Sequence, residues 1–480
     1  MENVKQQQPL LAGDNGRNNY TNLKQFPAAP ENVEAEDRGV EINGVKDFCR
    51  EFYVESKKLW YLAGPAIFTS ICQYTVGATT QLFAGQLGTM QLAAVSVENS
   101  VIGGFSFSIL FGMGSALETL CGQAYGAGKF EMLGVYLQRS WVVLNTIAVI
   151  LMFTYIFGVS VLRLLRQTPS IATAAGRFSV WMIPQLFAYA TLIPIAKFLQ
   201  AQSNIMPMAW IALVAVVSHV FLSWLLMMKL GWGLVGAAVV LDCSWWFMTV
   251  AQLTYVLWGS CGQAWGGFSW EAFHNLKGFV RVSFATAVMF CLENWYLMSL
   301  VLFAGYFENA EASVDALSVC LNILGWICTV ALGLNVACKG VERTRLQKAE
   351  NCEVRGYSRG IDFSSNWTPL HGGSSSVQKT IPGVVYKQSR RVAIGAGWQT
   401  AVAYMNVGSY FFFGIPMSLL MGFRLDMGVK GIWYGMVSGA TMQCCLLLIM
   451  VSRTNWNEEV NIVGHRIKQW GGDIQQRSIH

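Results

Sequence analysis

The stretch PMAWIALVAVVSHVFLSWLLMM, residues 207–228, runs for 22 residues without a charged side chain. At about 1.5 Å per residue, a helix of that length reaches about 33 Å, enough to cross about 30 Å of hydrocarbon. A barrel strand would be about half as long and would alternate polar with apolar residues. In hydrocarbon the backbone must satisfy its own hydrogen bonds, which a helix does within one segment. The stretch therefore reads as a membrane-spanning helix.

Similar apolar runs lie near 59–83, 94–121, 141–162, 180–200, 234–258, 280–304, 315–337, 401–422 and 432–452. Pro65, Pro184, Pro194 and Pro416 fall within them. Helix breakers in spans are tolerated where the freed backbone faces protein or a water-filled cavity, which favours a transporter over a simple bundle. Composition agrees. Of 480 residues, 54% are of the AVILMFWYC set and only 12% are charged, against about 25% in soluble domains. A soluble enzyme, a disordered chain and a nucleic-acid binder acting through surface charge are excluded. The 12 Cys sit mostly in apolar runs, no CxxC occurs, and the five His are scattered. No disulfide framework, metal site, nucleotide loop or nucleophile constellation is evident, so no catalytic residue, metal or cofactor is assigned.

Residues 1–56 form a polar tail with no signal peptide, read as disordered and cytosolic. Its Gln8–Leu11 run is either a dileucine-type signal or a chance pair of leucines. With that tail inside, the inner segments up to residue 337 carry 13 Lys and Arg and the outer ones four. The asymmetry sets an N-in orientation, and an even number of spans puts the C-tail, 456–480, inside as well.

The chain repeats itself. Leu82-Phe83-Ala84-Gly85 recurs as Leu302-Phe303-Ala304-Gly305, and Ala93–Val97 resembles Asp315–Val319. Gly233–Gly236 then recurs as Gly428–Gly431, with the offset reduced from 220 to 195. Two homologous halves follow, with something absent from the second. The first lobe, 57–258, has six spans. The second has two in 259–337 and two in 392–455. Between them, 338–391 is polar and cannot cross a bilayer. The count is 6 + 4 where symmetry predicts 6 + 6. Residues 338–391 hold 10 basic and four acidic side chains, so they carry the whole net charge of +6.

The run GMGSALETLCGQAYGAG (112–128) closely resembles the signature of plant multidrug and toxic compound extrusion (MATE) transporters, also called DETOXIFICATION proteins. So do CLENWY (291–296), GAGWQ (395–399), GIWYG (431–435) and TNW (454–456). The resemblance covers about 57–337 and 392–470. It implies an all-α polytopic membrane protein, a two-lobe MATE-type helical bundle with 6 + 6 spans in the family and about 6 + 4 here. It also implies exchange of protons, or in some branches sodium, for small organic molecules. The departure at 338–391 reads as a frameshift or splicing difference.

Glu293 interrupts the apolar span Phe279–Ala304. A charge at a bilayer's centre costs about 2.5–3.5 kcal/mol on insertion scales. A carboxylate that binds a proton in one state and releases it in another meets the requirement for proton antiport, and the resemblance gives the Glu of Cys-Leu-Glu-x-Trp that role. The alternative is a structural Glu bonded to a neighbouring helix. Glu98 and Asn99 lie in the second span and are candidates to face a substrate cavity. Glu118 is expected to snorkel or bond to the Gly122–Gly128 loop, and Asp242 to be interfacial. Gln200 and Gln202 end the fourth span beside Lys197, as portal candidates or common helix-end polar residues. Asn294, Trp295 and Tyr296 flank Glu293, where the aromatics either stack on a flat substrate or pack as core. Pro65 can kink the first helix, and the resemblance ties that bend to gating; a static kink is the alternative. His219 reads as a bonded core residue. The sequon Asn366-Trp-Thr368 falls on the cytosolic side and is discounted.

The leading expectation is a proton-coupled antiporter of flavonoid-like or other xenobiotic and secondary metabolites, working by alternating access and driven by the proton gradient rather than sodium. Its partners are a small-molecule substrate, protons and the bilayer, with no nucleic acid, and the chain is expected to be monomeric. The vacuolar membrane is preferred, with the plasma membrane as the other location. Two alternatives stand: a passive chloride-type anion channel of the same fold, and an inactive or regulatory truncated isoform.

Overall fold

The computed structural model describes residues 45–304, apart from 127, 128, 166 and 275, and residues 398–453, with 307, 317, 320, 324, 325 and 330 between them. The chain divides into two compact units, Met1–Tyr53 and Val54–His480. Of the first, only the start of one helix from Val45 is described. Residues 1–44, most of the 315–337 span, the 338–391 segment with its sequon and the 456–480 tail lie outside the described residues.

Every regular element among the described residues is helical. Helix α1 spans Val45–Leu87 and runs unbroken through Pro65. Gly88 separates it from α2, Thr89–Val97, with φ 143°, and a Cβ there would lie 2.7 Å from Gln91 Oε1. A wide π-turn, Glu98–Gly103, joins α2 to α3, Gly104–Gly126. Helix α4 is Glu131–Ile156, α5 Gly158–Leu164, α6 Pro169–Trp181 and α7 Ile183–Ala201. Helix α8, Met206–Ser223, continues as a π-turn to Lys229, and α9, Gly233–Tyr255, as one to Ser260. After two short 3-10 turns comes α10, Leu276–Ala304. Then follow α11, Gln399–Asn406, a π-turn Val407–Gly414, α12, Ile415–Leu419, a π-turn to Arg424 and α13, Gly428–Arg453. Pro416 has no N–H to give its ladder, and the wide turn immediately upstream is one way a helix absorbs that loss.

Among the described residues, six helices are long and apolar enough to cross a membrane: Thr89–Tyr125, Glu131–Ile156, Met206–Lys229, Gly233–Gly259, Thr400–Arg424 and Gly428–Met450. The pair α6 and α7, bent by 52°, makes a seventh if it counts as one span. Seven of the ten expected spans correspond to these helices with shifted ends; 59–83 and 280–304 are helical in α1 and α10 but are not among them, and most of 315–337 lies outside the described residues. The 94–121 span begins at Thr89, the 141–162 span breaks at Phe157 into α4 and α5, and the 180–200 span acquires α6 beyond a bend at Met182.

Two kinds of core sit in the bundle. The larger is built from α1 to α10, from Val76 to Ala287, around large side chains such as Leu110, Leu117, Leu137 and Phe198. Smaller clusters join α10 to the C-terminal helices: Tyr296, Leu300, Tyr410, Ile432 and Met436 in one, Met289, Val402 and Leu447 in another. Helix α10 belongs to both. It meets α3 at Gly112, where a Cβ would fall 2.6 Å from Ala287 Cα, so the two backbones are in contact.

Candidate functional site between the lobes

The α3–α10 seam is where the first lobe meets the start of the second. Asn294 of α10 donates its side-chain amide to Ser108 Oγ of α3, and Ser108 donates its own hydrogen to Gly104 O at 2.7 Å. An aromatic chain crosses the same seam. Phe290 packs edge-on to Phe111 at 5.4 Å, Phe111 lies against Phe107 at 5.5 Å, Phe107 meets Tyr189 at 5.3 Å and Tyr189 meets Trp245 at 4.7 Å. Four helices, α10, α3, α7 and α9, thus contribute one continuous row of rings. Phe107 remains 38% exposed. Such rings offer faces to a flat apolar molecule.

Glu293 is half-buried on α10, one residue before Asn294. Trp295 is exposed, whereas Tyr296 points the other way. Tyr296 stacks on Tyr410 at 4.5 Å and 7°, and its hydroxyl donates to Met436 O at 3.2 Å. Successive helix positions turn by about 100°, so neighbours in sequence divide between seam and core. Tyr410 donates to Gln443, Gln443 to Asn406, and Asn406 to Met289 O at 3.2 Å. This buried network fixes α11 and α13 against α10.

The other candidates stand elsewhere. Glu98 and Asn99 begin the π-turn, about 15 Å along the helix from Ser108. Glu98 is buried and Asn99 half-buried. Gln200 lies in the last turn of α7 and Gln202 just past its end, with Gln202 Nε2 donating to Phe198 O at 3.3 Å. Pro65 lies in α1, where Thr69 Oγ1 donates to its carbonyl oxygen at 2.8 Å. The structure therefore joins Asn294 to Ser108 beside the ring row, with Glu293 and Trp295 next to it in sequence on α10, and shows no contact of the other candidates with that seam.

Glu118 forms an ion pair with Lys197 Nζ at 2.8 Å, because α3 and α7 pack side by side. Lys197 also sits over the Phe111 ring at 5.1 Å. Asp242 is half-buried on α9: its Oδ1 is enclosed, and the Gln185 backbone N–H reaches the carboxylate. His219, as expected, is a bonded core residue, bridging Thr80 of α1 at 3.0 Å and Ser244 of α9 at 2.8 Å. Ser108 was not singled out by sequence. Its signal is a small hydroxyl one turn from the Gly103-Gly104 pair, and such hydroxyls are common. Among the described residues no group of three or more His, Cys, Asp or Glu is placed to hold a metal ion.

Membrane-length helices in two packed cores that share α10, with an aromatic row at the seam between them, define a multi-pass membrane protein of the transporter class. The MatE family profile matches residues 65–225. Protein DETOXIFICATION 30 of Arabidopsis thaliana is 52% identical over 467 residues, covering 92% of this chain and 94% of its own length. Protein DETOXIFICATION 29 of the same plant is 51% identical, covering 91% and 93%. The crystal structure of the eukaryotic MATE transporter AtDTX14 superimposes with a TM-score of 0.73 at 29% identity, covering 87% of this chain and 99% of that one. A crystal structure of MATE in complex with MaL6 shares the fold, with a TM-score of 0.65 at 14% identity, 82% of this chain and 95% of that one. The chain belongs to the MATE/DETOXIFICATION transporter family, and these relatives are transporters rather than enzymes.

Proposed function

We propose that the chain exchanges protons for small organic compounds, of flavonoid-like or other xenobiotic and secondary-metabolite type, by alternating access across the vacuolar membrane, with both termini in the cytosol. The observation that carries this reading is the placement of Glu293. It is a half-buried acidic residue in the apolar part of α10, and its neighbour Asn294 is bonded across to Ser108 of α3. A change of charge at Glu293 acts beside a contact that must break if one lobe rocks against the other. The aromatic row supplies faces for a flat organic substrate. Sodium is not needed by this scheme, and one copy of the chain suffices.

Glu293→Gln in proteoliposomes tests it. Uptake driven by an imposed pH gradient is expected to fall at least tenfold, with the variant still eluting as a single species. Full pH-driven uptake in that variant excludes the role.

A second reading has its own observation. The repeat offset falls by 25 residues between the first and last matches. The alignment to DETOXIFICATION 30 spans 467 positions, while 92% of 480 is about 442, so roughly 25 positions face no residue here. The repeat offset points to a C-lobe with fewer residues than the N-lobe, the alignment to a chain with fewer residues than its relative, and together they favour a form that binds substrate without completing transport. Substrate binding without uptake, beside full transport by a version with two spans restored, supports this reading. Equal transport by both removes it.

A further inference from the structure

The linker that carries the chain from the first lobe to α10, Cys261–His274, is fastened along α4. A Cβ at Gly134 would stand 2.8 Å from Ala264 O and 3.7 Å from Trp265 Cα, so the linker backbone touches the helix. Trp265 meets Trp141 edge-on at 6.0 Å. The buried Gln138 binds the linker twice: its Nε2 donates to Gly267 O at 2.8 Å, and its Oε1 accepts from the Ser269 N–H at 2.9 Å. Arg139, also buried, donates to Glu271 O at 2.9 Å and Ala272 O at 3.4 Å. The linker is thereby held in one place from Ala264 to Ala272.

These contacts also set its depth. Helix α4 has 26 residues and is long and apolar enough to cross a membrane. It reaches about 39 Å against about 30 Å of hydrocarbon, so about 5 Å is left at each end when it is centred. The linker touches α4 from Gly134 to Trp141, about 5–15 Å along the axis from Glu131. It therefore lies where hydrocarbon gives way to headgroups.

At that level the linker turns three rings outward. Phe268, Trp270 and Phe273 are 65%, 75% and 45% exposed. They pack on one another, with centroids 5.3 Å apart for Phe268 and Trp270, 5.7 Å for Trp270 and Phe273 and 6.3 Å for Phe268 and Phe273. Helix α10 continues the pattern. Lys277, Arg281 and Phe284 are spaced i, i+4, i+7 on one face, and all three are exposed. Two cations followed by an aromatic ring repeat the order from lipid phosphate to hydrocarbon. Between residues 261 and 281 the one acidic residue is Glu271, itself exposed.

We infer that this linker is a lipid-docking surface at the joint between the lobes. Phe268, Trp270 and Phe273 lie in the headgroup layer of the leaflet at the Glu131 end of α4, and Lys277 and Arg281 meet phospholipid phosphates beside them. Aromatic rings with polar edges favour that layer, and the buried Gln138 and Arg139 hold the linker so that its rings face it. The inference rests on α4 crossing a membrane, and on no coupling role for Glu293.

Fluorine NMR of the full chain labelled with 5-fluorotryptophan, in nanodiscs, tests it; the resonance missing from Trp270→Phe is that of Trp270. A phospholipid spin-labelled at its headgroup is expected to remove at least about half the intensity of that resonance, and a water-soluble gadolinium chelate much less. The reverse order puts the rings in water and overturns the proposal. A resonance untouched by both marks a protein cover, whether a second copy or another segment of this chain, and overturns it too. A photoreactive anionic phospholipid needs no substitution: with the wild-type chain its cross-links are expected on the peptide 264–277, and their absence beside cross-links at Phe284 contradicts the docking. Lys277→Gln/Arg281→Gln is expected to lower that yield severalfold, and an unchanged yield overturns the part given to the two cations.

Discussion

Lys197 Nζ and Glu118 Oε2 stand 2.8 Å apart between α7 and α3, with side chains only 11% and 14% exposed. Removing one member strands the other in a low-dielectric interior, at a cost of about 3 kcal/mol. Lys197→Met and Glu118→Gln are each expected to lower the apparent melting temperature in detergent markedly. The double variant, which leaves no bare charge, is expected to lie closer to wild type than either single one. A double variant worse than both singles contradicts this account of the pair.

Gly112 is a point of close approach between α3 and α10. A Cβ there falls 2.6 Å from Ala287 Cα and 3.3 Å from Phe290 Cβ. Neither atom is the end of a flexible chain, so α10 must shift. Overpacking of this sort costs about 1–3 kcal/mol. Gly112→Ala is expected to reduce thermal stability by that amount, and Gly112→Leu to prevent a folded product. A cysteine pair across the seam, read by cross-linking yield, should report a wider gap in Gly112→Ala.

Much of this was legible in the sequence. Uncharged runs longer than a bilayer's thickness admit few readings, and the helices follow them. What sequence could not show was which side chains meet across helices. Thr80 and His219 are 139 positions apart and are joined only because the fold brings α1 beside α8. Glu118 reads as a helix-end residue reaching its own loop until α7 brings Lys197 beside it. Trp295 and Tyr296 read as one aromatic pair, yet a single helical step exposes one and buries the other. The π-turns leave no mark in apolar periodicity either, and one of them aims Glu98 inward.

Cys261 follows α9 beyond its membrane span and is buried. Burial pushes its thiol up to about 11, against a smaller opposing pull from a Gln202 hydrogen bond. The thiolate is the reactive form, so at neutral pH the group is almost wholly protonated and unreactive. Brief iodoacetamide treatment of the native protein, read by peptide mass spectrometry, is expected to leave Cys261 unmodified. Its labelling should rise as pH approaches the shifted value or once the chain is unfolded. Rapid labelling at neutral pH contradicts its burial.

His219 ties three helices: α8 carries it, α1 supplies Thr80 and α9 supplies Ser244. Each hydroxyl is also within reach of its own helix carbonyl, Thr80 with Val76 O at 3.1 Å and Ser244 with Val240 O at 2.8 Å. A neutral imidazole has one donor and one acceptor. One hydroxyl can therefore keep its helix carbonyl and accept from the ring, while the other turns to donate to it. His219→Leu removes both cross-helix bonds while filling most of the volume, and the hydroxyls fall back on their own carbonyls. The expected loss is about 1–3 kcal/mol. His219→Gln offers one donor and one acceptor at similar reach and is expected to recover part of it. Equal melting temperatures for His219→Leu and wild type would show that packing alone, not hydrogen bonding, holds α1 to α9 here.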